Sequence, residues 1–294
     1  MATKRLQKSL GINQEKIFPY GLLLPAITVL VLAQIYPTLY SIYMSFNKLK
    51  AGNLNWIGLA NYIRLLNSGD FINSLGKTFI YSGGYLLLTL VLAMCVALLL
   101  NQRVFLTPVY LTILFIPWVL SDVVSGTVWR WMFQQDYGLV QVLLNPLINR
   151  VTLLSNNVGA MLIMILSSTW RNLAFTTIVL LGALQTVSSE IKEAAAMDGT
   201  SNFRFFWNFT IPIIKPTILV ITLLTSIGGI NSLGLILATT NGGPGNATTT
   251  TSVLLYREAW KYGDFGTASA IAVFMFFINM ALAILYFRVL KEKN

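Results

Sequence analysis

No histidine occurs in this chain, and its one cysteine, Cys95, lies inside an apolar run. The first absence removes imidazole metal sites, Ser-His and Cys-His nucleophile pairs and the usual proton shuttle. The second leaves no internal disulfide, and Cys95 reads as a small packing residue. No GxxxxGK(S/T) phosphate loop is present, so work driven by ATP would need a nucleotide-binding partner. Charge is scarce too: 10% of residues are charged and 55% are hydrophobic, against about 25% charged in a soluble domain. A chain with so little polar surface and no catalytic cluster is expected to be a membrane protein and not an enzyme.

Long uncharged runs carry that expectation. Residues 17–47, 78–102, 217–256 and 265–287 hold no charged side chain, and about 20 apolar residues span a bilayer as a helix. The fold class predicted is all-α, a polytopic membrane protein with six transmembrane helices at about 18–46, 78–101, 107–133, 158–186, 214–239 and 266–288. Asp122 and Arg130 interrupt the third, and Arg171 the fourth. The first apolar segment exceeds a signal-peptide core and lacks a small-residue cleavage site, so it reads as an uncleaved span.

The net charge of +10 points to basic cytoplasmic loops and not to nucleic acid. With the N-terminus inside, the inner segments hold Lys4, Arg5, Lys8, Lys16, Arg103, Lys192, Arg204, Lys215, Arg288, Lys291 and Lys293. The outer ones hold Lys48, Lys50, Arg64, Lys77, Arg150, Arg257 and Lys261. Both termini are therefore expected in the cytoplasm. The whole chain, 1–294, reads as one transmembrane domain: a cytoplasmic N-terminus at 1–17, spans one to four at 18–186, a cytoplasmic loop at 187–215, and spans five and six with the C-terminus at 216–294. Residues 55–76 read as short amphipathic helices at the outer interface.

The cytoplasmic loop is the one charged, helix-forming patch in the apolar middle of the chain. Ser188 and Ser189 suit a helix start, Glu190 to Met197 favours helix, and Asp198-Gly199 breaks it. Residues 202–209, rich in Phe and Trp, predict a second short helix that Pro212 and Pro216 terminate. The result is a helix–turn–helix at the inner membrane face. On physics alone it is either an interfacial anchor or a docking knob for a cytoplasmic partner.

"EAAAMDG", followed after nine residues by "FTIP", resembles the EAA loop of the membrane subunits of ABC importers. Glu193, Ala194, Ala195, Gly199 and Pro212 stand in register with that motif, with Glu190 and Asp198 beside them. "WIGLANYIRLL", "TNGGPGNAT" and "YGDFGTASAIAVFMFFI" extend the resemblance over nearly the whole chain, toward the sugar-importer permeases of the larger maltose-subunit type. The resemblance implies a heterodimer with a second homologous permease in a prokaryotic inner membrane. It also implies an ATPase dimer below, carrying the ATP and magnesium, and a periplasmic or extracellular binding protein that delivers sugar. This chain itself would carry no cofactor.

Polar groups inside spans mark candidate solute contacts. Trp118 and Asp122 are four apart, which predicts one face of span three after Pro117. Ser168, Arg171 and Asn172 share a face of span four. In span five Gly228 and Gly229 precede Asn231 and Ser232, where glycine permits close approach or local unwinding. Asp122 and Arg171 either bind solute or form a buried pair that fixes packing. The solute expected is a di- or oligosaccharide. The alternatives are an anionic solute such as a glycerol phosphate, or an ion-coupled secondary transporter using Asp122.

Overall fold

The computed structural model describes residues 14–50, 52–102, 105–144 and 153–291. Lys4, Arg5, Lys8, Arg103, Arg150, Lys293 and most of the expected cytoplasmic N-terminus lie outside the described residues. The architecture is almost wholly helical. Among the described residues five helices are long and apolar enough to cross a membrane, and a bent pair makes up to six.

Span one is built from α1 (Gln14–Leu30), a π-helical turn at Val31–Ile35 and α2 (Tyr36–Ser45). Pro37 sits in the first turn of α2, where its missing N–H is tolerated. The chain then forms a hairpin, of which only Asn55 and Trp56 fall in the stretch 55–76 expected to be interfacial helix. β1 (Asn47–Lys50) pairs antiparallel with β2 (Asn53–Trp56), Asn47 opposite Trp56, with Gly52 at φ 82° in the turn. Fully buried Asn61 in α3 (Ala60–Leu66) donates to the carbonyls of Ser45 and Asn47 at 2.8 and 3.0 Å and so ties hairpin to span.

Span two is α4 (Gly69–Leu100), capped by Ser68. It starts nine residues before the predicted 78, because Asp70 and Lys77 disguise a helix that continues past the apolar run. Span three is not one helix. α5 (Thr107–Val119) and α6 (Asp122–Met132) meet at 97°, with Leu120 and Ser121 extended between them and Ser121 capping α6 through the Val124 N–H. A short α7 (Leu139–Leu144) precedes span four, α8 (Asn157–Leu184), whose start Asn156 caps at 2.6 Å from the Gly159 N–H.

The loop between spans four and five opens with α9 (Ser189–Met197), capped by Ser188 as predicted. Gly199 takes φ 71°, and Thr200 N–H bonds the Ala195 carbonyl at 2.9 Å, closing the helix end. The second half departs from expectation. α10 (Asn202–Phe205) runs through a π-helical turn (Phe206–Thr210) into α11 (Ile211–Ile230) without a stop. Pro212 and Pro216 therefore lie within the continuous helix Asn202–Ile230. Pro212 falls just after the widened turn, at a position where a missing donor costs little. The expected boundary at 215–216 is thus internal to one helix. Span five ends at Ile230, not 239. Asn231–Leu233 break it before α12 (Gly234–Thr239), and α13 (Thr251–Tyr256) leads to span six, α14 (Phe265–Lys291).

In lipid, helices gain little from burying oil against oil, so close packing and hydrogen bonds decide association. Spans two and four meet through small and branched residues: Ala93 and Ala97 against Leu180 and Leu184, with Ile214 and Ile221 of span five closing the cluster. Thr89 donates to Thr169 across that interface at 3.3 Å. A second cluster joins Phe71, Ile230, Leu254, Ile271 and Met275 at the other end. The outward faces are apolar, Leu87, Val119, Val158 and Phe287 among them, as lipid contact requires. Span one stands outside the bundle, its apolar stretch unburied and its α2 half beside span six.

Candidate functional site

Four elements converge on a cavity of about 350 Å³. Its walls are span two, the break in span three, the middle of span four and the broken end of span five. Of the predicted residues, Trp118, Asp122, Ser168, Arg171, Asn172, Asn231 and Ser232 all line it. Gly229 does not. A Cβ there would meet Ser82 Oγ at 2.7 Å, so Gly229 lets span five press on span two, and Gly228, with open space around it, lines the cavity instead.

Trp118 and Asp122 reach the cavity by a different route from the one expected. They do not share a helix face, because the chain bends between them. Trp118 lies in the last turn of α5, stacked on Phe175 of span four with centroids 5.9 Å apart and planes within 10°. Asp122 begins α6, where the positive end of the helix dipole favours a carboxylate. Arg171 joins the two halves. Its Nη1 lies 3.0 Å from Asp122 Oδ1, and its Nε donates to the Leu120 carbonyl at 3.1 Å. The pair is a salt bridge, but not a buried one: the side chains are 29% and 46% exposed, and both face the cavity. The pair therefore braces the bend and also lines the cavity.

The sequence reading missed Tyr81 and Tyr85. They lie one turn apart in span two, stacked at 6.2 Å, and both line the cavity. Tyr81 shares a hydrogen bond with Ser168 at 2.7 Å and donates to Ser232 at 3.2 Å, connecting spans two, four and five. Two hydroxyl-bearing rings at i and i+4 in an otherwise apolar run were the available signal. Asn231 is held by the Ile227 carbonyl, to which it donates at 2.7 Å, and by Asn279 of span six, which donates to it at 3.2 Å. The whole arrangement offers flat apolar rings beside hydroxyls and carboxamides that both donate and accept.

Beyond the end of span four, the loop leading to span five presents Glu190, Glu193, Ala194, Asp198 and Gly199 as exposed residues of one small knob. Ala195 is buried and packs the knob from inside, so it is not a contact residue of the surface. Pro212 is exposed on the helix that continues into span five. The same knob exposes large apolar side chains, with Met197 89% and Phe203 74% accessible. Apolar exposure of this size suits contact with lipid or with another protein.

The chain is 31% identical to the trehalose/maltose transport system permease protein of Thermococcus litoralis over 94% of each chain. It is 28% identical to the sn-glycerol-3-phosphate transport system permease protein of Agrobacterium fabrum, over 95% of this chain and 96% of that one. Its fold matches a chain of a bacterial ABC transporter involved in the import of the acidic polysaccharide alginate, with a TM-score of 0.82, 24% identity and 99% of each chain covered. The model of the binding-protein-dependent transport system inner membrane component matches residues 89–292. On that match, which takes in the cavity's third, fourth and fifth spans and the knob between the last two, the chain belongs to the family of binding-protein-dependent transport system inner membrane components.

Proposed function

We propose that this chain is the permease subunit of an ATP-driven importer and forms half of the pathway for a sugar. The mid-span cavity carries the reading. Stacked aromatic pairs supply flat surfaces for the C–H faces of a sugar ring, and the surrounding hydroxyl and amide groups match its hydroxyls. The similarity to a trehalose/maltose permease supports a sugar over other solutes.

The knob at α9 is the coupling element. It sits at the cytoplasmic face, with both termini on that side, and docks on a separate ATPase that holds the nucleotide and its magnesium. Glu190, Glu193 and Asp198 offer carboxylates to that partner, and Gly199 sets the angle between α9 and the helix entering span five. Because that helix is continuous to Ile230 beside the cavity, a push on the knob reaches the cavity wall along one helix. A second homologous permease supplies the other half of the pathway, and a solute-binding protein delivers the sugar outside. The test is reconstitution of the whole complex in proteoliposomes and measurement of which sugars stimulate ATP hydrolysis and accumulate. Stimulation by a sugar panel is expected, and stimulation by glycerol phosphate alone would replace the sugar reading.

A further inference from the structure

Building on the proposed sugar pathway, we infer that the Asp122–Arg171 pair sets the charge of the solute: the cavity accepts neutral polyhydroxylated rings and excludes anionic ones. Asp122 and Arg171 are the two charged residues among those lining the cavity, and they are opposite in sign. At 3.0 Å apart they cancel to a net charge of zero, while the Leu120 carbonyl takes a further N–H of the guanidinium.

Arg171 alone would attract a carboxylate or phosphate. With Asp122 in place, an anion that approaches the guanidinium meets a like charge at nearly the same distance, and attraction and repulsion offset each other. A sugar hydroxyl faces no such conflict. It can accept from the guanidinium and donate to the carboxylate, and the partial exposure of both groups leaves room for it. The rest of the polar lining, Ser168, Asn172 and Asn231 among it, is uncharged. Similar proteins carry names for both neutral and anionic cargo, so the shared fold does not decide charge and lining residues must. Asp122 is then a specificity residue, the group that keeps Arg171 from admitting anions.

The test uses the assembled transporter in detergent without the binding protein, so that the receptor's own selectivity plays no part. Calorimetry compares neutral mono- and disaccharides with their uronic acid counterparts. The wild type is expected to bind a neutral sugar at least roughly tenfold more tightly than its uronic counterpart. Asp122→Asn should raise uronate affinity on the order of tenfold to a hundredfold, with a salt dependence the wild type lacks. The double variant Asp122→Asn with Arg171→Gln should lose that gain. Equal binding of neutral and acidic sugars by the wild type overturns the inference, and so does a uronate affinity that Asp122→Asn leaves unchanged. Should Asp122→Asn not assemble, the wild-type comparison decides.

A second arm needs no sugar. Iodide and acrylamide quenching of Trp118, taken as the difference from Trp118→Phe, reports anion entry against neutral entry. Iodide quenching should rise severalfold in Asp122→Asn with acrylamide quenching unchanged; no rise overturns the charge assignment. If no sugar of either charge binds while iodide behaves as expected, the sugar reading fails and the charge assignment stands.

Discussion

Arg171 Nε donates to the backbone carbonyl of Leu120 at 3.1 Å, from span four to the break in span three. At that point the chain bends by 97° and leaves a backbone carbonyl for a group outside the helix to satisfy. The guanidinium does so, and with its other arm it holds Asp122 at the start of the next half-helix. One side chain thereby supports the bend from both sides.

Arg171→Lys keeps the charge but has one nitrogen where two are used. It is expected to lower transport by roughly tenfold, on the order of 1.4 kcal/mol. Arg171→Gln should cost more, because Asp122 is left unpaired. Uptake assays with matched protein levels check the order, and equal activity of the lysine variant and wild type would show that the Leu120 contact is dispensable.

Gly229 and Gly228 are neighbours with opposite roles. Gly229→Ala puts a methyl within 2.7 Å of Ser82 Oγ and 3.2 Å of Tyr85 Cδ1, and is expected to destabilise by about 1–3 kcal/mol as spans two and five part. Gly228→Ala meets nothing within 4 Å and should leave thermal stability unchanged while altering solute affinity. Melting of the purified complex separates the two.

Gly199 is required for its backbone and not for lack of space. Its φ is 71°, yet a Cβ would meet nothing within 4 Å. Gly199→Asn, which tolerates the left-handed region, should retain most ATPase co-purification, whereas Gly199→Val should lose most of it. Similar yields from both variants would mean that the turn angle does not govern docking.

Asp264 caps span six, accepting the Thr267 N–H at 3.0 Å, and pairs with Arg64 of α3 at 3.0 Å. Burial alone would raise its carboxyl, but the Thr267 backbone and hydroxyl bonds and the Arg64 charge hold it below the usual carboxylate range. A depressed folded value adds stability above the ordinary pKa of about 3.9, lost as pH falls through the folded value. Glu258 has the opposite sign: burial and then the nearby Asp264 charge raise it, so its stabilising share is lost as pH rises through the raised value. Asp264→Asn should flatten the acid limb of a melting-temperature profile, and an unchanged limb would remove Asp264 from the explanation.

Much of the fold was legible because lipid leaves few choices: uncharged runs of span length must be helices. The Ser188 cap and the Gly199 break also declared themselves through residue type alone. What the sequence hid was the geometry of interruptions. Pro117 stood in view, but the 97° turn arises beyond it, at Leu120 and Ser121, where Arg171 supplies a distant partner. Pro212 looked like a stop, and the π-helical turn Phe206–Thr210 just before it let the helix continue. The β-hairpin was not legible because two four-residue strands carry too little alternation to signal a strand. In the cavity, charged and amide residues stood out against apolar spans, while Tyr81 and Tyr85 blended with them until their stacking was visible.

The central claim is that the α9 knob is gripped by a cytoplasmic ATPase and drives the cavity through span five. A single reactive thiol tests it most directly: Met197→Cys, 89% accessible in the native side chain, in a Cys95→Ser background. In the working transporter this thiol should cross-link to the ATPase, with a yield that changes on ATP binding, and should resist a membrane-impermeant maleimide applied from outside. Free labelling from outside, or a bare thiol in the assembled and active complex, would contradict the coupling role.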